Sequence, residues 1–390
     1  MTFSTSYDFI PLTPQKPPSW STKFTSQPHQ LFFVSAVFFA IAIMLATFIS
    51  FIKEVSFDFY LIHSFGLTFG VFTNAFLGFL ITVIPKYTSS TVIDKKRYFI
   101  PWVVLQLGII ITLFGFEEIG KLVVIGVLVY FNTIFYQTIK KGRAIDKKDS
   151  IFLNIVLSFG VIFLFCEVIF HINLSLLIFF GYLLTLVFTV AQRMIPAFYS
   201  SNLQILPWEK PRFLVEISMI LFLALGIVIQ FEFAMLFKIV SLLSMVFFGY
   251  IIFNLNIYKK APAILSILMI AFIWLELGFI ILFLESILET PTLKLALHIF
   301  AIGFVGNLLI GFGSRVIMGH AVPAQKIVAD KLTQYLFILI QIIVITRITA
   351  SLLFLNNSPI FMGFLHFSAW LWIILFLVWT FRYGKTLLRF

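Results

Sequence analysis

The stretch ALHIFAIGFVGNLLIGFGSRVIMGH, residues 296–320, has the apolar length of a helix that crosses a membrane. It nevertheless carries His298 near one end, Arg315 and His320 at the other, and Gly303, Gly306, Gly311 and Gly313 along its body. A segment bound for lipid gains nothing from imidazoles unless they bind something or meet each other, because polar groups in hydrocarbon are costly.

The rest of the chain agrees with a membrane setting. Of 390 residues, 61% are hydrophobic and only 11% charged, and the mean hydropathy is +1.09. A spanning segment must satisfy its own backbone hydrogen bonds, so the spans are helices. Period-2 alternation is absent, which excludes an outer-membrane barrel. The single cysteine, Cys166, excludes a disulfide within the chain and a cysteine metal cluster. The net charge of +11 does not point to nucleic acid, because the basic residues sit in short loops between apolar runs. The partner they imply is the lipid bilayer.

Apolar runs of about 20 residues give twelve spans: 31–52, 60–84, 98–116, 120–139, 150–170, 173–191, 212–230, 233–253, 262–284, 293–317, 332–354 and 360–382. The fold expected is an all-α polytopic bundle with one domain over 31–390. Residues 1–30, rich in Ser, Thr and Pro, read as a disordered cytoplasmic tail rather than a signal peptide. Of the 27 Lys and Arg, 22 fall in the tails and the loops after even-numbered spans, counting Arg212, Arg315 and Arg382 at the adjoining span ends. That asymmetry predicts cytoplasmic termini and outward-facing odd loops.

A similar text recurs every four spans. Spans 2, 6 and 10 end on FLITVIPKYTSS (79–90), VFTVAQRMIPAFYSS (187–201) and GFGSRVIMGHAVPA (311–324). Two readings are open: three four-helix units, or the ordinary gathering of basic residues and prolines at helix exits.

Depth follows from 1.5 Å per residue. His63, His171, His298 and His366 fall in the outer part of the membrane, and His29 and His320 at the inner surface. On an ideal α-helix, Gly66, Gly70, Asn74 and Gly78 fall within about 60° of His63. That stripe reads either as a groove for a flat ligand or as close helix packing, since Gly66 and Gly70 make a GxxxG pair. Glu167 and His171, four apart, share a face. Glu276 and Arg347 each stand about 24 Å above the inner boundary and form a candidate ion pair.

Imidazoles converging from separate helices suit haem or another metal. His63 on span 2 with His298 on span 10 is the leading ligand pair, His366 the next, with Glu167 orienting an imidazole and Arg347 placed for a carboxylate. Each of these histidines equally suits a hydrogen-bonded core position. His29, His171 and His320 read either as ligands or as solvated interface groups. Secondary transport through Glu167, Glu276 and Arg347 is the alternative function. A structural subunit without a chromophore is a third.

The motifs SRVIMGH (314–320) with ALH (296–298), GFLITVIPKYTSS (78–90), QRMIPAF (192–198) and HQLFF (29–33) resemble those of the NnrS family. The family comprises bacterial inner-membrane proteins with haem and copper, linked to nitric oxide tolerance. The resemblance implies that His63, His298 and His320 match family histidines and Arg193 and Arg315 family arginines. It implies copper beside haem, and respiratory or denitrification electron carriers as partners; His29 and His320 are candidates for an inner polar or metal site. Where the family has H-x-H-E, this chain has HSFG (63–66), so Phe65 and Gly66 replace the second histidine and the acid. Histidines on spans 2 and 10 also resemble the large subunit of haem-copper oxidases. Spans 6 and 7 carry no histidine, so no oxygen-reducing copper centre is expected.

Overall fold

A computed structural model describes residues 19–52, 58–59, 61–205, 208–255, 260–288 and 291–389. Among these the regular elements are all helical. In chain order they are α1 (Pro28–Ile52), α2 (Leu61–Thr88), α3 (Lys95–Leu113), α4 (Glu117–Lys141), α5 (Lys148–Phe170), α6 (Ser175–Leu203), α7 (Leu214–Gln230), α8 (Ala234–Asn254), α9 (Ala263–Leu288), α10 (Leu295–Gly319), α11 (Lys331–Leu355) and α12 (Phe361–Leu388). Eleven of these are long and apolar enough to cross a membrane. The seventh expected span is α7, apolar but only 17 residues long. The chain is a multi-pass membrane helix bundle.

Local signals start several helices. The Asp94 carboxylate accepts from the Lys96 amide at the start of α3, and Asp330 from the Thr333 amide at the start of α11. Gly115, at φ +92°, makes the turn between α3 and α4, a conformation that a side chain would strain.

Three helices form the centre. The most apolar window of α2 is 89% buried, that of α6 83% and that of α10 72%. The same share is 28% in α3 and α8 and 33% in α5 and α12, whose free faces are apolar and suited to lipid. The central three touch one another through aromatic rings: Phe69 on Tyr182, Phe180 on Phe300, and Phe79 on Phe312. α12 packs against α1 and closes the ring. We call the end holding Trp20 and Leu388 the terminal face and the opposite end the far face.

Each central helix carries a π-helical segment in its far-face part, Leu61–Thr73, Ile178–Leu184 and Ile299–Gly306, and continues as α-helix; in α6 and α10 a short α-helical turn precedes it. π-helix is rare and concentrates at functional sites. Side chains serve the loosened carbonyls five residues back: Thr73 bonds the Thr68 carbonyl and Thr185 the Phe180 carbonyl. Just after the segment, Asn74 bonds the Gly70 carbonyl and Gln106 of α3, while Asn307 bonds the Gly303 carbonyl and Gln341 of α11. At the terminal face the Arg193 guanidinium lies 3.9 Å over the Tyr87 ring, and Arg315 lies 4.1 Å over Phe198. These equivalences favour three four-helix units over a chance likeness of helix ends.

The expected tail over 1–30 meets the structure only in part. Residues 1–18 lie outside the described residues. Residues 19–30 are not loose: Ser19 caps the short helix Trp20–Phe24, the Trp20 indole donates to the Leu388 carbonyl at 2.8 Å, and α1 begins at Pro28.

Candidate functional site

α2 and α10 place His63 and His298 side by side at the far face, with ring centroids 6.2 Å apart and planes inclined by 35°. The Phe59 ring stacks on His63 at 5.3 Å and 8°. Nδ1 of His63 is buried and has no hydrogen-bond partner among the described residues. The two histidines come from the π-helical opening of α2 and from the residue just before that of α10. His298 has a defined orientation. Its Nδ1 lies 2.8 Å from the Lys294 carbonyl, one turn back, so the N–H sits on Nδ1 and the lone pair on Nε2.

Arg347, from the buried face of α11, holds this corner together. It donates to the Leu293 carbonyl at 2.8 Å and to the Ser351 hydroxyl at 2.6 Å, and it lies 3.3 Å from His298 Nδ1. The expected pairing of Arg347 with Glu276 is therefore absent. Glu276 lies on α9 beside Gly249, and its Oε2 has no hydrogen-bond partner among the described residues. Equal depth did not bring the two groups to one side of the bundle.

Two further expectations are corrected. Glu167 orients no imidazole: it bonds Lys121 at 3.3 Å and accepts from the Leu174 amide at 2.8 Å. His171 ends α5 with a positive φ, so its ring leaves the helical face of Glu167 and meets Glu118 at 3.2 Å. The glycine stripe is filled by protein. Cβ atoms at Gly66 and Gly70 would stand 2.9 Å from Ile43 and 3.0 Å from Phe39, both on α1. The physical reason is the π-helix: its bonds reach five residues back, so it turns less than 100° per residue. The glycines lag away from His63, which faces α10 while they face α1.

His366, on α12, packs edge-on against Phe48 of α1 at 5.5 Å. At the terminal face His29 and His320 form a second imidazole pair, with centroids 4.9 Å apart and planes at 46°. His29 is 3% exposed and its Nδ1 has no partner among the described residues. His320 Nδ1 bonds the Val316 carbonyl at 2.9 Å. Both pairs thus use α10, one at each end. Among the described residues no three His, Cys, Asp or Glu side chains converge as a metal-binding group, so any metal here relies on two imidazoles.

A polar cavity of about 590 Å³ opens at the far face on the other side of α2, lined by Ser64, Thr68, Lys121, Glu167 and His171 among others. The Lys121 ammonium sits between Glu117 and Glu167. The sequence reading missed this cluster, although Glu117 and Lys121 at i and i+4 were a visible pair. It also missed Phe59, whose ring covers His63.

What the far-face pair can do chemically follows from its spacing. Two imidazoles on opposite sides of one metal, each at a metal–nitrogen distance of about 2.0 Å, set their ring centroids roughly 6 Å apart. His63 and His298 match that separation, with one unpartnered ring nitrogen on His63 and a free Nε2 lone pair on His298. At this spacing two imidazoles from two helices could hold a single metal. The terminal-face pair, at 4.9 Å, suits two ligands meeting at an angle rather than across a metal.

Comparison with known proteins completes the description. The family model described as "NnrS protein" matches residues 23–390, nearly the whole chain. No curated protein matches it. The chain belongs to the NnrS family.

Proposed function

We propose that this NnrS-family membrane protein binds haem between α2 and α10 through His63 and His298, and takes part in resistance to nitric oxide and related nitrosative stress. The observation that carries the reading is the 6.2 Å separation of the two rings. Haem held by these two residues would supply a one-electron couple. The protein's own contribution is orientation. The Lys294 carbonyl orients the His298 ring, and the Phe59 ring stacks on His63. Arg347, spare of any carboxylate, offers a planar fork to a haem propionate.

His29 and His320 are the candidate copper ligands, a role that rests on family membership and on their closeness. Respiratory or denitrification electron carriers are the partners such a centre requires. The basic bias of the tails and even loops supports a bacterial inner-membrane location with both termini cytoplasmic. Nothing in the geometry favours secondary transport. Glu167 is tied to Lys121 near the far face, and Glu276 and Arg347 do not meet.

The test is an optical spectrum and metal analysis of detergent-purified protein. A bis-imidazole Soret band lost in both His63→Ala and His298→Ala is the expected result. Protein purified from haem-replete cells with neither iron nor copper overturns it. A deletion strain challenged with a nitric oxide donor tests the physiological role separately.

A further inference from the structure

The polar cavity at the far face lies outside the imidazole pair, and its walls carry an excess of hydrogen-bond acceptors. It holds about 590 Å³ between α2, α4, α5 and the start of α6, the size of a site for a small organic ligand. Four carboxylates line it, those of Asp58, Glu117, Glu118 and Glu167, against one ammonium, Lys121, and one imidazole, His171. The protein uses only part of this capacity. Lys121 takes one oxygen of Glu117 and one of Glu167, the Leu174 amide takes the other oxygen of Glu167, and His171 meets one oxygen of Glu118. Asp58 accepts from the Leu61 amide through Oδ1. One oxygen each of Asp58, Glu117 and Glu118 is left without a protein donor among the described residues.

A second observation comes from the floor. Thr68 is 7% exposed and lines the cavity, yet its hydroxyl bonds no described residue. The buried threonines Thr73 and Thr185 spend theirs on carbonyls five residues back. Ser64, four residues before Thr68 on the same wall, also leaves its hydroxyl without a partner among the described residues. Buried hydroxyls are paired as a rule, so these two call for a partner from the cavity itself. Exposure marks the depth: the Glu118 and Glu117 side chains, at 63% and 42%, stand at the mouth, and Glu167, at 7%, stands on the floor with Thr68. Phe65, Phe116, Ile119 and Ile172 supply apolar wall.

These walls exclude three classes of ligand. An anion meets one ammonium and four carboxylates, and is repelled. A bare metal ion needs several ligands within reach, and no three His, Cys, Asp or Glu side chains converge among the described residues. A neutral polyol satisfies the hydroxyls but leaves the carboxylate excess uncompensated. The complementary ligand is rich in N–H donors and carries positive charge at more than one point along an apolar chain.

We propose that this cavity binds an aliphatic di- or polyamine. One ammonium donates to the Thr68 and Ser64 hydroxyls at the floor, a second donates to the free oxygens of Glu117 and Glu118 at the mouth, and the methylene chain lies along Phe65 and Phe116. Alkyl ammonium groups are charged at neutral pH, as that of lysine is. Lys121 displays the same mode of recognition within the protein, an ammonium 3.2 Å from Glu117 and 3.3 Å from Glu167. It keeps that place, and the ligand occupies the oxygens it leaves. The proposal does not rest on haem at His63 and His298, which lie on the other side of α2.

The experiment is calorimetric titration of the full-length protein, purified in detergent at low salt, with spermidine, 1,4-diaminobutane, n-butylamine and Mg²⁺ as separate probes. The two polyvalent amines are expected to bind saturably. Butylamine, with the same four-carbon chain and one charge, binds roughly tenfold more weakly than diaminobutane. Mg²⁺ at matched ionic strength does not displace spermidine. Glu118→Gln, at an exposed position, weakens spermidine binding by roughly tenfold, the loss of one charge-assisted hydrogen bond. Thr68→Val keeps the side-chain shape, removes the hydroxyl and weakens binding by roughly fivefold. Glu276→Gln, a carboxylate outside the cavity, leaves the affinity unchanged. Circular dichroism confirms that each variant keeps its helices. Absence of saturable spermidine binding, full displacement by Mg²⁺, or an affinity unchanged in both Glu118→Gln and Thr68→Val overturns the proposal.

Discussion

The Arg347 guanidinium lies 3.3 Å from Nδ1 of His298 and donates to the Leu293 carbonyl just ahead of α10. One side chain of α11 thus stands against the imidazole and anchors the start of its helix through the Leu293 carbonyl. Arg347→Lys keeps the charge but loses the fork that reaches Leu293 and Ser351 together. The expected outcome is a His298 ring with a freer orientation. If haem binds there, the Soret band shifts or broadens while iron content falls only partly. Arg347→Ala leaves the Leu293 carbonyl without its buried donor, a loss of about 1–3 kcal/mol, read as an earlier unfolding midpoint in detergent.

Lys121 sits between Glu117 and Glu167, and the Glu167 side chain is only 7% exposed. Lys121→Met removes the cation and leaves a buried carboxylate, an expected cost of about 3–5 kcal/mol. The double variant Lys121→Met with Glu167→Gln recovers most of that loss. Thermal unfolding of the four members of this cycle measures it. Equal stability of the single and double variants contradicts a coupled pair.

Gly70 touches α1, not a cofactor. Gly70→Val drives a side chain into Phe39 and Ile43, an overpacking cost of about 1–3 kcal/mol. The expected outcome is lower thermal stability with the optical spectrum unchanged once folded protein is recovered. A spectrum lost in a stably folded Gly70→Val protein would falsify the assignment of this stripe to helix packing.

Glu276 has no cation among the described residues. Glu276→Gln is expected to change stability by less than about 0.5 kcal/mol, in contrast to Arg347→Ala. Measuring both on one preparation tests the statement that the two side chains do not depend on each other.

The fold was largely legible in the sequence, because lipid imposes a simple grammar. Runs of about 20 apolar residues and their flanking lysines and arginines locate helices without knowledge of their neighbours. The ring contact of His63 with His298 was also foreseeable, since both stand at the same end of their helices. Azimuth was harder to read. The reading of 100° per residue holds for α-helix but fails across Leu61–Thr73, where the π-helix rotates Gly66 and Gly70 to α1. The Glu276–Arg347 pairing failed for a related reason: depth is one coordinate of three, and α9 turns Glu276 toward Gly249 while α11 turns Arg347 toward His298. α7, at 17 residues, falls short of the roughly 20 that the length rule expects of a span.

The bond from the Trp20 indole to the Leu388 carbonyl, with Gln30 donating to the Leu387 carbonyl, has a consequence for biogenesis. Both acceptors belong to α12, which leaves the ribosome after the eleven helices that precede it. Until then the first helix of the nascent chain has polar groups waiting on partners not yet synthesised, and its flank is open to lipid or to an insertase. Closure of α1 against α12 therefore waits for the end of α12, and a truncation that removes only the final turn of α12 disturbs the segment around Trp20 and Gln30.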